Sequence, residues 1–343
     1  MTDFPLHQPL TPRANPTRAR RTYEPTVIDR SAPWAAPTTG DPADAPPQPV
    51  GPWTTPPVPH GRPVPPRRVR RLLIRWAGRA VIVGLVVQIV VLVILGSLRV
   101  VNPSTTAFML GNTGAPNIQQ TVSIDHISRY LLAATVVHED YTLGTRVGAV
   151  EWSAFRDRIR AYLAGEEDPS GSTIPQQLTK NLFLTSSQSA PRKALEFVLA
   201  NELTLVLSDA RILELYLNVA QFGPHLYGVC DATWYYFKVA PYDITAYEAA
   251  QLMGILPAPS LARLLPGGGL DTKSVVDDKG NNLIDGAANV WLPRELPNPD
   301  SWKAVVAGIG ITDTARDHAG ERGNRDACST MPTAVAEVLA AGA

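Results

Sequence analysis

The chain has 343 residues, with 31 basic and 31 acidic side chains and a formal net charge of zero. That length allows one sizeable core with appendages, and zero net charge favours no highly charged partner, so we expect no nucleic-acid ligand. Residues 1–66 contain 18 of the 32 prolines and few aliphatic side chains. Such a stretch cannot bury enough apolar surface to offset its ordering entropy, so we expect residues 1–66 to be a disordered, proline-rich arm.

Residues 67–100 combine a basic flank with an apolar run. The 19 residues from Ala80 to Leu98 carry no charge, which is enough to span a bilayer as one helix. Arginines crowd the N-terminal side of this run, whereas Arg99 alone follows it closely. The positive-inside rule therefore predicts a single-pass protein with a cytoplasmic N-terminus and the remainder outside. A buried core helix is the alternative, and a signal peptide is disfavoured because the run starts far from the N-terminus.

The two cysteines, Cys230 and Cys328, both fall on the outer side in this topology, where a disulfide is chemically allowed. The sequence leaves open whether they meet. Cys328 belongs to residues 269–343, a turn-rich and polar stretch that we expect to be a loop-rich C-terminal tail.

Residues 101–268 are predicted to form one mainly α-helical domain. Several segments place apolar residues at helical spacing, and no strand pattern of comparable length interrupts them. The clearest segments are "ISRYLLAATVVHED", "RKALEFVLANELTLVL", "ARILELYLNVAQFG" and "TAYEAAQLMGILPAPS".

Three carboxylates in this domain are candidates for chemistry. Glu139 and Asp140 follow an apolar stretch, so partial desolvation at the mouth of a cleft would suit Glu139 for acid–base work. The alternative is a solvated helix end. Glu196 follows Arg192 and Lys193 within one helical turn, which fits either a surface ion pair or a cationic anion-binding helix start.

The segment "GSTIPQQLTKN" at 171–181 is predicted to be a loop that runs into a helix. Ser172 and Thr173 stand where a cap belongs, and Pro175 suits the first helical position. Free backbone N–H groups, the hydroxyls, Gln176 and Gln177 can then face one ligand, with Lys180 one turn further on. This combination favours an anion such as a phosphate or pyrophosphate.

Taken together, these segments resemble the peptidoglycan glycosyltransferases of glycosyltransferase family 51, and the monofunctional biosynthetic transglycosylases most closely. The resemblance covers about residues 104–265 and rests on motifs in the family's order. They are "TAFML" at 106–110, "EDYTLGTRVG" at 139–148, "GSTIPQQLTKN" at 171–181, "RKALE" at 192–196, and "ILELYLN" at 212–218 followed by "VAQFG".

The resemblance implies a lysozyme-like, two-lobed domain at 101–268 in the bacterial plasma membrane that polymerises lipid II. It implies that β1,4 bonds form with inversion and that undecaprenyl pyrophosphate is released. The enzyme would thereby take part in cell-wall biogenesis and in setting cell shape. Its partners would be lipid II, the growing glycan strand and other wall-synthesis proteins. A divalent cation, Mg²⁺ or Mn²⁺, would be an optional cofactor at Glu196. Glu139 would be the general base, Asp140 would support it, and Glu196 would organise the cations. The implied substrate-binding residues are Ser172, Thr173, Gln176, Gln177, Lys180, Asn181, Arg192, Lys193 and Asn218.

The sequence departs from the family pattern at several positions. Arg146 stands where the family has histidine, Leu143 replaces an aromatic residue and Pro175 replaces a hydroxyl residue. Cys230 and Asp231 replace an acidic residue and an alanine. Because an arginine cannot lose its charge, we expect Arg146 to act on Glu139 if it points that way. Two alternatives remain open, a catalytically weak membrane-anchored scaffold and a lysozyme-like glycan-cleaving enzyme.

Overall fold

The computed structural model describes residues 67–165, 171–185 and 189–342. The predicted disordered arm at 1–66 lies outside the described residues. The described chain is mainly α-helical, as predicted, and Pro66–Ala343 form one compact unit. Its α-helices are α1 Arg67–Ser97, α2 Ala107–Gly111, α3 Arg129–Glu139, α4 Trp152–Ala164, α5 Ile174–Phe183, α6 Ala190–Val206, α7 Asp209–Val219, α8 Val229–Phe237, α9 Ala246–Ile255, α10 Leu283–Gly286, α11 Leu292–Glu295, α12 Pro299–Gly308 and α13 Thr333–Ala340. Two short parallel strands, β1 Ile118–Gln119 and β2 Leu226–Tyr227, pair with Ile118 opposite Leu226.

The helix α1 contains the apolar run and is long and apolar enough to cross a membrane. Most of its large apolar side chains are exposed along its length. It lies against α6, where Gln88, the one strongly polar residue of the run, donates a hydrogen bond to the Glu202 carboxylate at 3.0 Å. Arg99 donates to the Val206 carbonyl at 2.9 Å at the end of α6. These contacts attach the apolar helix directly to the helical domain.

The core of the domain lies around α3, α5, α7 and α9. Most residues of α3 are buried, from Leu131 through Val137. The loop runs into the helix α5 as predicted, and Thr173 is its N-cap in a capping box with Gln176. The helix starts at Ile174, one residue before the predicted first position at Pro175. It packs against α6 and α7. The start of α5 lies next to the end of α3, because the Ile174 N–H donates to the Asp140 carboxylate at 3.0 Å.

The expectation of a loop-rich tail at 269–343 is wrong for much of that stretch. Residues 283–295 run through α10, a π-helical turn and α11, and α12 and α13 follow. Ile284, Leu292 and Val306 are buried in the main core. These helices are short and interrupted by Gly, Pro and Asn, so their apolar residues give little periodicity, and tertiary packing stabilises them.

The Cys230–Cys328 pair, which the sequence left open, forms a disulfide with a Cα–Cα distance of 5.9 Å. Both cysteines are buried, and the Trp234 indole donates to the Cys328 carbonyl at 3.0 Å. The bond fastens the C-terminal segment to α8. Cys328 is therefore part of an ordered, packed segment and not of a loose tail.

Candidate active site

The Glu139 carboxylate ends the buried helix α3 and lines a cavity of about 250 Å³. Its side chain is 12% exposed. One oxygen, Oε1, lies 2.8 Å from His138 Nδ1, and the other, Oε2, accepts a hydrogen bond from Gln177 Nε2 at 2.7 Å. The carboxylate is thus held by one contact on each oxygen at the edge of an open space, an arrangement that suits a group that must accept a proton.

Gln177 is itself fixed on both ends of its amide. Its Nε2 also donates to the Ser172 carbonyl at 2.9 Å, and its Oε1 accepts from the Tyr216 hydroxyl at 3.1 Å. Complete burial raises the pKa of the Tyr216 hydroxyl well above its usual range, and the charges of Glu139 and Asp140 add to this. Tyr216 therefore keeps its proton and orients the Gln177 amide so that its NH₂ group faces Glu139.

Asp140 lines the same cavity beside Glu139, and its side chain is only 2% exposed. Arg146 donates to it through both terminal nitrogens, with the Nη2–Oδ2 distance at 2.7 Å. The Ile174 backbone N–H donates to the same carboxylate at 3.0 Å. Asp140 thereby fastens the loop after Glu139 to the start of α5.

The expectation that Arg146 acts on Glu139 is wrong. The guanidinium pairs with Asp140 and also donates to the Gly148 carbonyl at 3.0 Å and to the Thr142 hydroxyl at 2.8 Å. The reason is local, because the loop after Glu139 folds back so that Arg146 meets the buried carboxylate of Asp140. A departure from the family motif is therefore accommodated by a salt bridge.

Three cations and one carboxylate form a second cluster beside the first. Glu196 is 1% exposed and contacts Arg192 Nη1 at 3.3 Å and the Lys193 ammonium. The Lys180 ammonium lies 5.9 Å from the centre of the Phe108 ring. Burial lowers the pKa of Lys180, and the nearby Glu196 carboxylate opposes this shift. The three cations outnumber the neighbouring carboxylates of Glu196 and Glu139, both of which act on Lys180, and this excess of positive charge suits an anion.

Ser172 joins the two clusters. Its carbonyl accepts from Gln177, which holds Glu139, while its hydroxyl accepts a hydrogen bond from Lys193 Nζ at 3.2 Å. The Arg192 Nε atom is buried and has no acceptor among the described residues. The Glu139 carboxylate and the cation cluster are therefore connected through Ser172 and Gln177.

Three other residues that the sequence predicts to bind the substrate are hydrogen-bonded or buried within the fold. Thr173 donates to the Ala149 carbonyl at 2.6 Å and caps α5 together with Gln176. Gln176 and Asn181 are both buried. Thr173 and Gln176 also line the Glu139 cavity.

Asn218 does not lie where a ligand could reach it. It is 0% exposed; its Oδ1 accepts from the Val122 N–H at 2.8 Å, and its Nδ2 donates to the Val122 and Glu214 carbonyls at 2.9 and 3.0 Å. The expectation that Asn218 contacts the substrate is wrong, since its amide satisfies buried backbone groups.

The structure also brings in residues that sequence reasoning missed, namely His138, Glu151 and Tyr216. Glu151 lines the Glu139 cavity and accepts hydrogen bonds from the Ser153 and Ala154 N–H groups at 3.1 and 2.6 Å. Hydrogen bonds from Ser153 and Ala154 lower the pKa of Glu151. In the sequence, Glu151 could have been found as a carboxylate just ahead of a helix. His138 could be noticed only as the residue before Glu139.

Comparison with known proteins shows the family to which the chain belongs. Residues 107–271 match the family model described as Transglycosylase. The biosynthetic peptidoglycan transglycosylase of Alcanivorax borkumensis is 37% identical over 194 residues, which are 56% of this chain and 79% of that protein. The biosynthetic peptidoglycan transglycosylase of Shewanella amazonensis is 36% identical over 198 residues, which are 56% of this chain and 79% of that protein. The biosynthetic peptidoglycan transglycosylase of Rhizobium etli is 41% identical over 138 residues, which are 40% of this chain and 59% of that protein.

The chain belongs to the monofunctional peptidoglycan transglycosylases. It is an enzyme of peptidoglycan biosynthesis, and its apolar helix α1 is consistent with membrane anchoring. The part of the transglycosylase that matches the family model runs from α2 past α9. The helices α10 to α13 and Cys328 lie beyond that match.

Proposed function

We propose that this transglycosylase polymerises lipid II into glycan strands. It joins sugars by β1,4 bonds with inversion at the anomeric carbon and releases undecaprenyl pyrophosphate. The observation that carries the proposal is the pairing of Glu139 with the cation cluster through Ser172 and Gln177. One group accepts a proton and the other attracts a pyrophosphate, and they lie side by side.

Glu139 acts as the general base in this reaction. Its Oε1 and Oε2 each hold one neighbour, which leaves a lone pair free to take the proton from the 4-hydroxyl of the acceptor sugar. The acceptor oxygen then forms the bond to the anomeric carbon while the bond to the pyrophosphate breaks. A positioned base of this kind contributes roughly two to four orders of magnitude in rate.

Lys180, Arg192 and Lys193 stabilise the leaving group. Negative charge grows on the pyrophosphate as its bond to the sugar breaks, and cations aimed at that charge lower the barrier most where water is excluded. Glu196 holds Arg192 and Lys193 in place. The Ser172 hydroxyl, which accepts a hydrogen bond from Lys193 Nζ, can still donate its own hydrogen to the leaving group.

A divalent cation, Mg²⁺ or Mn²⁺, does not fit the carboxylate of Glu196 as the residues stand. Its Oε2 faces Arg192 and its Oε1 faces Lys193, so a metal ion would have to displace two positive side chains. The proposed reaction therefore proceeds without a metal ion at Glu196. Asp125, Asp313 and His318 could hold an ion, but Arg129 already pairs with Asp313 at the far end of α3 from Glu139.

We place the catalytic domain outside the bacterial plasma membrane, with the N-terminus in the cytoplasm. The arginine-rich flank before α1 supports this orientation, and the Cys230–Cys328 disulfide supports an oxidising compartment. A lipid-linked substrate suits an enzyme held at the membrane. The growing glycan strand and other wall-synthesis proteins are its proposed partners. Labelling a cysteine placed within residues 1–66 from outside intact cells would contradict this topology.

The test is to incubate the full-length protein in detergent with fluorescent lipid II and separate the products by size. We expect long glycan strands. A protein that binds lipid II without product formation would be a scaffold, and one that shortens preformed strands would be a hydrolase. The Glu337→Gln variant, altered at an exposed glutamate of α13, is the matched control and should polymerise like the unaltered chain.

A further inference from the structure

The C-terminal segment beyond the family match, residues 272–342, reaches the helix that ends in Glu139. Trp291 meets the His138 ring edge-on, with ring centroids 5.2 Å apart and an interplanar angle of 87°. At the other end of α3, Tyr130 packs on Trp302 at 4.9 Å and Arg129 pairs with Asp313 at 2.9 Å. The segment therefore touches α3 at both ends.

The loop after Glu139 also lies directly against this segment. Gly144 has a φ of +86°, and a Cβ atom added there would lie 2.4 Å from the Gly308 carbonyl oxygen at the end of α12. On the neighbouring side, a Cβ added to Gly254 of α9 would lie 2.5 Å from the Ile284 Cα. Backbones this close leave little freedom, so the position of Trp291 relative to α3 is well defined.

His138 is the contact between this segment and the proposed base. Its Nδ1 lies 2.8 Å from Glu139 Oε1, and its side chain is 16% exposed. An ionised carboxylate can only accept hydrogen bonds, so Nδ1 must carry a proton whenever Glu139 is ready to act as a base. His138 then fixes one carboxylate oxygen while Gln177 fixes the other.

We propose that His138 is a positioning residue for Glu139 and that Trp291 of the C-terminal segment holds the His138 ring in place. Two donors on opposite oxygens set the plane of the carboxylate, whereas one donor leaves it free to rotate. Rotation would take the free lone pair off the acceptor hydroxyl, and small misplacements of a reacting group slow a reaction strongly. This inference rests on the proposed role of Glu139 as the base.

The test compares kcat and KM for lipid II polymerisation in full-length variants in detergent. His138→Ala should lower kcat about ten-fold and change KM less than about two-fold, since orientation is lost and substrate contacts are kept. His138→Asn should recover most of the loss, because the Asn amide nitrogen can donate from nearly the place of Nδ1. Trp291→Ala should lower kcat in the same sense, and Trp291→Phe, which keeps a ring edge, should recover part of it.

Val290→Ala is the matched control, because Val290 precedes Trp291 and is 67% exposed. Thermal unfolding of each variant separates loss of rate from loss of fold. A His138→Ala variant with unaltered kcat, or a His138→Asn variant as slow as His138→Ala, overturns the inference. Glu139→Gln measured alongside keeps the two claims apart. If it is inactive, the base stands and only the positioning role fails, whereas an active Glu139→Gln overturns the base itself.

Discussion

Arg146 forms a two-pronged ion pair with Asp140, and the carboxylate that it holds is 2% exposed. The pair closes the loop that follows Glu139. Asp140 also accepts the Ile174 N–H, so this loop and the start of α5 share one buried charge pair.

Replacing Arg146 with alanine should destabilise the protein more than it alters the chemistry. The change leaves a buried carboxylate without its cation, which typically costs about 3–5 kcal/mol in the free energy of unfolding. The double variant with Asp140→Asn should regain part of that loss, since no buried charge is left unpaired. Chemical denaturation of the four variants of this cycle measures the coupling. An Arg146→Ala variant as stable as the unaltered chain would mean that the ion pair contributes nothing to the free energy of unfolding.

Removing the Gln177 donor should slow polymerisation while leaving the fold intact. Gln177→Leu deletes the hydrogen bond to Glu139 Oε2, and we expect kcat to fall about ten-fold or more, because the carboxylate loses one of its two fixed contacts. Tyr216→Phe should have a smaller effect in the same direction, since the Gln177 amide can then turn over. Tyr247→Phe, altered at a half-exposed tyrosine of α9, is the control. Equal rates for all three variants would show that Gln177 does not orient the base.

Anion binding at the cation cluster should weaken at alkaline pH. Burial lowers the pKa of Lys180, so its ammonium loses its proton at a lower pH than an ordinary lysine, and affinity for a pyrophosphate falls as pH rises through that value. Lys180→Arg keeps its charge and should bind lipid II or a phosphoglycolipid inhibitor up to a higher pH. Titrations between pH 7 and pH 10 measure this. Coincident curves for the two proteins would place the Lys180 ammonium away from the ligand.

Replacing Asp231 with asparagine should stabilise the protein near neutral pH. Burial raises the pKa of Asp231 to about 7, opposed by the hydrogen bond from the Gln120 N–H. The folded protein therefore binds the Asp231 proton more tightly than the unfolded chain does. Proton binding stabilises the fold fully below pH 3.8, the pKa of the unfolded chain, and this stabilisation is lost as pH rises toward 7.

An asparagine at 231 stays neutral at every pH, and its oxygen can still accept from the Gln120 N–H. We expect the melting temperature of Asp231→Asn to exceed that of the unaltered chain by several degrees at pH 8, with a smaller difference at pH 5. A difference between the two proteins that stays constant between pH 5 and pH 8 would contradict the raised pKa.

Much of the fold and the first motifs could be predicted because their signals are local. The cap at Thr173, the proline that follows it and the apolar spacing of α3 each depend on neighbouring residues in the chain. Glu139 lies on α3, Lys180 on α5 and Glu196 on α6. The structure brings their clusters together through Ser172 and Gln177. Helix ends and spacing made them candidates, and the resemblance to the family motifs singled them out.

The remaining features depend on contacts between distant residues. Asn218 belongs to a recognisable motif, yet its partner is the backbone of Val122, which only the folded chain brings near. Trp291 lies beyond the family match, and nothing in its sequence context points to His138. The disulfide and the short C-terminal helices likewise owe their order to tertiary packing, which a periodicity of a few residues does not reveal.

The measurement that tests the central claim most directly is the turnover of lipid II by Glu139→Gln, compared with the Glu337→Gln control. If Glu139 is the general base, polymerisation should fall about a hundred-fold to ten-thousand-fold, and the affinity for lipid II should change little, because the cations of the Lys180, Arg192 and Lys193 cluster are untouched. A Glu139→Gln variant that polymerises lipid II at a rate close to that of the control would contradict the account.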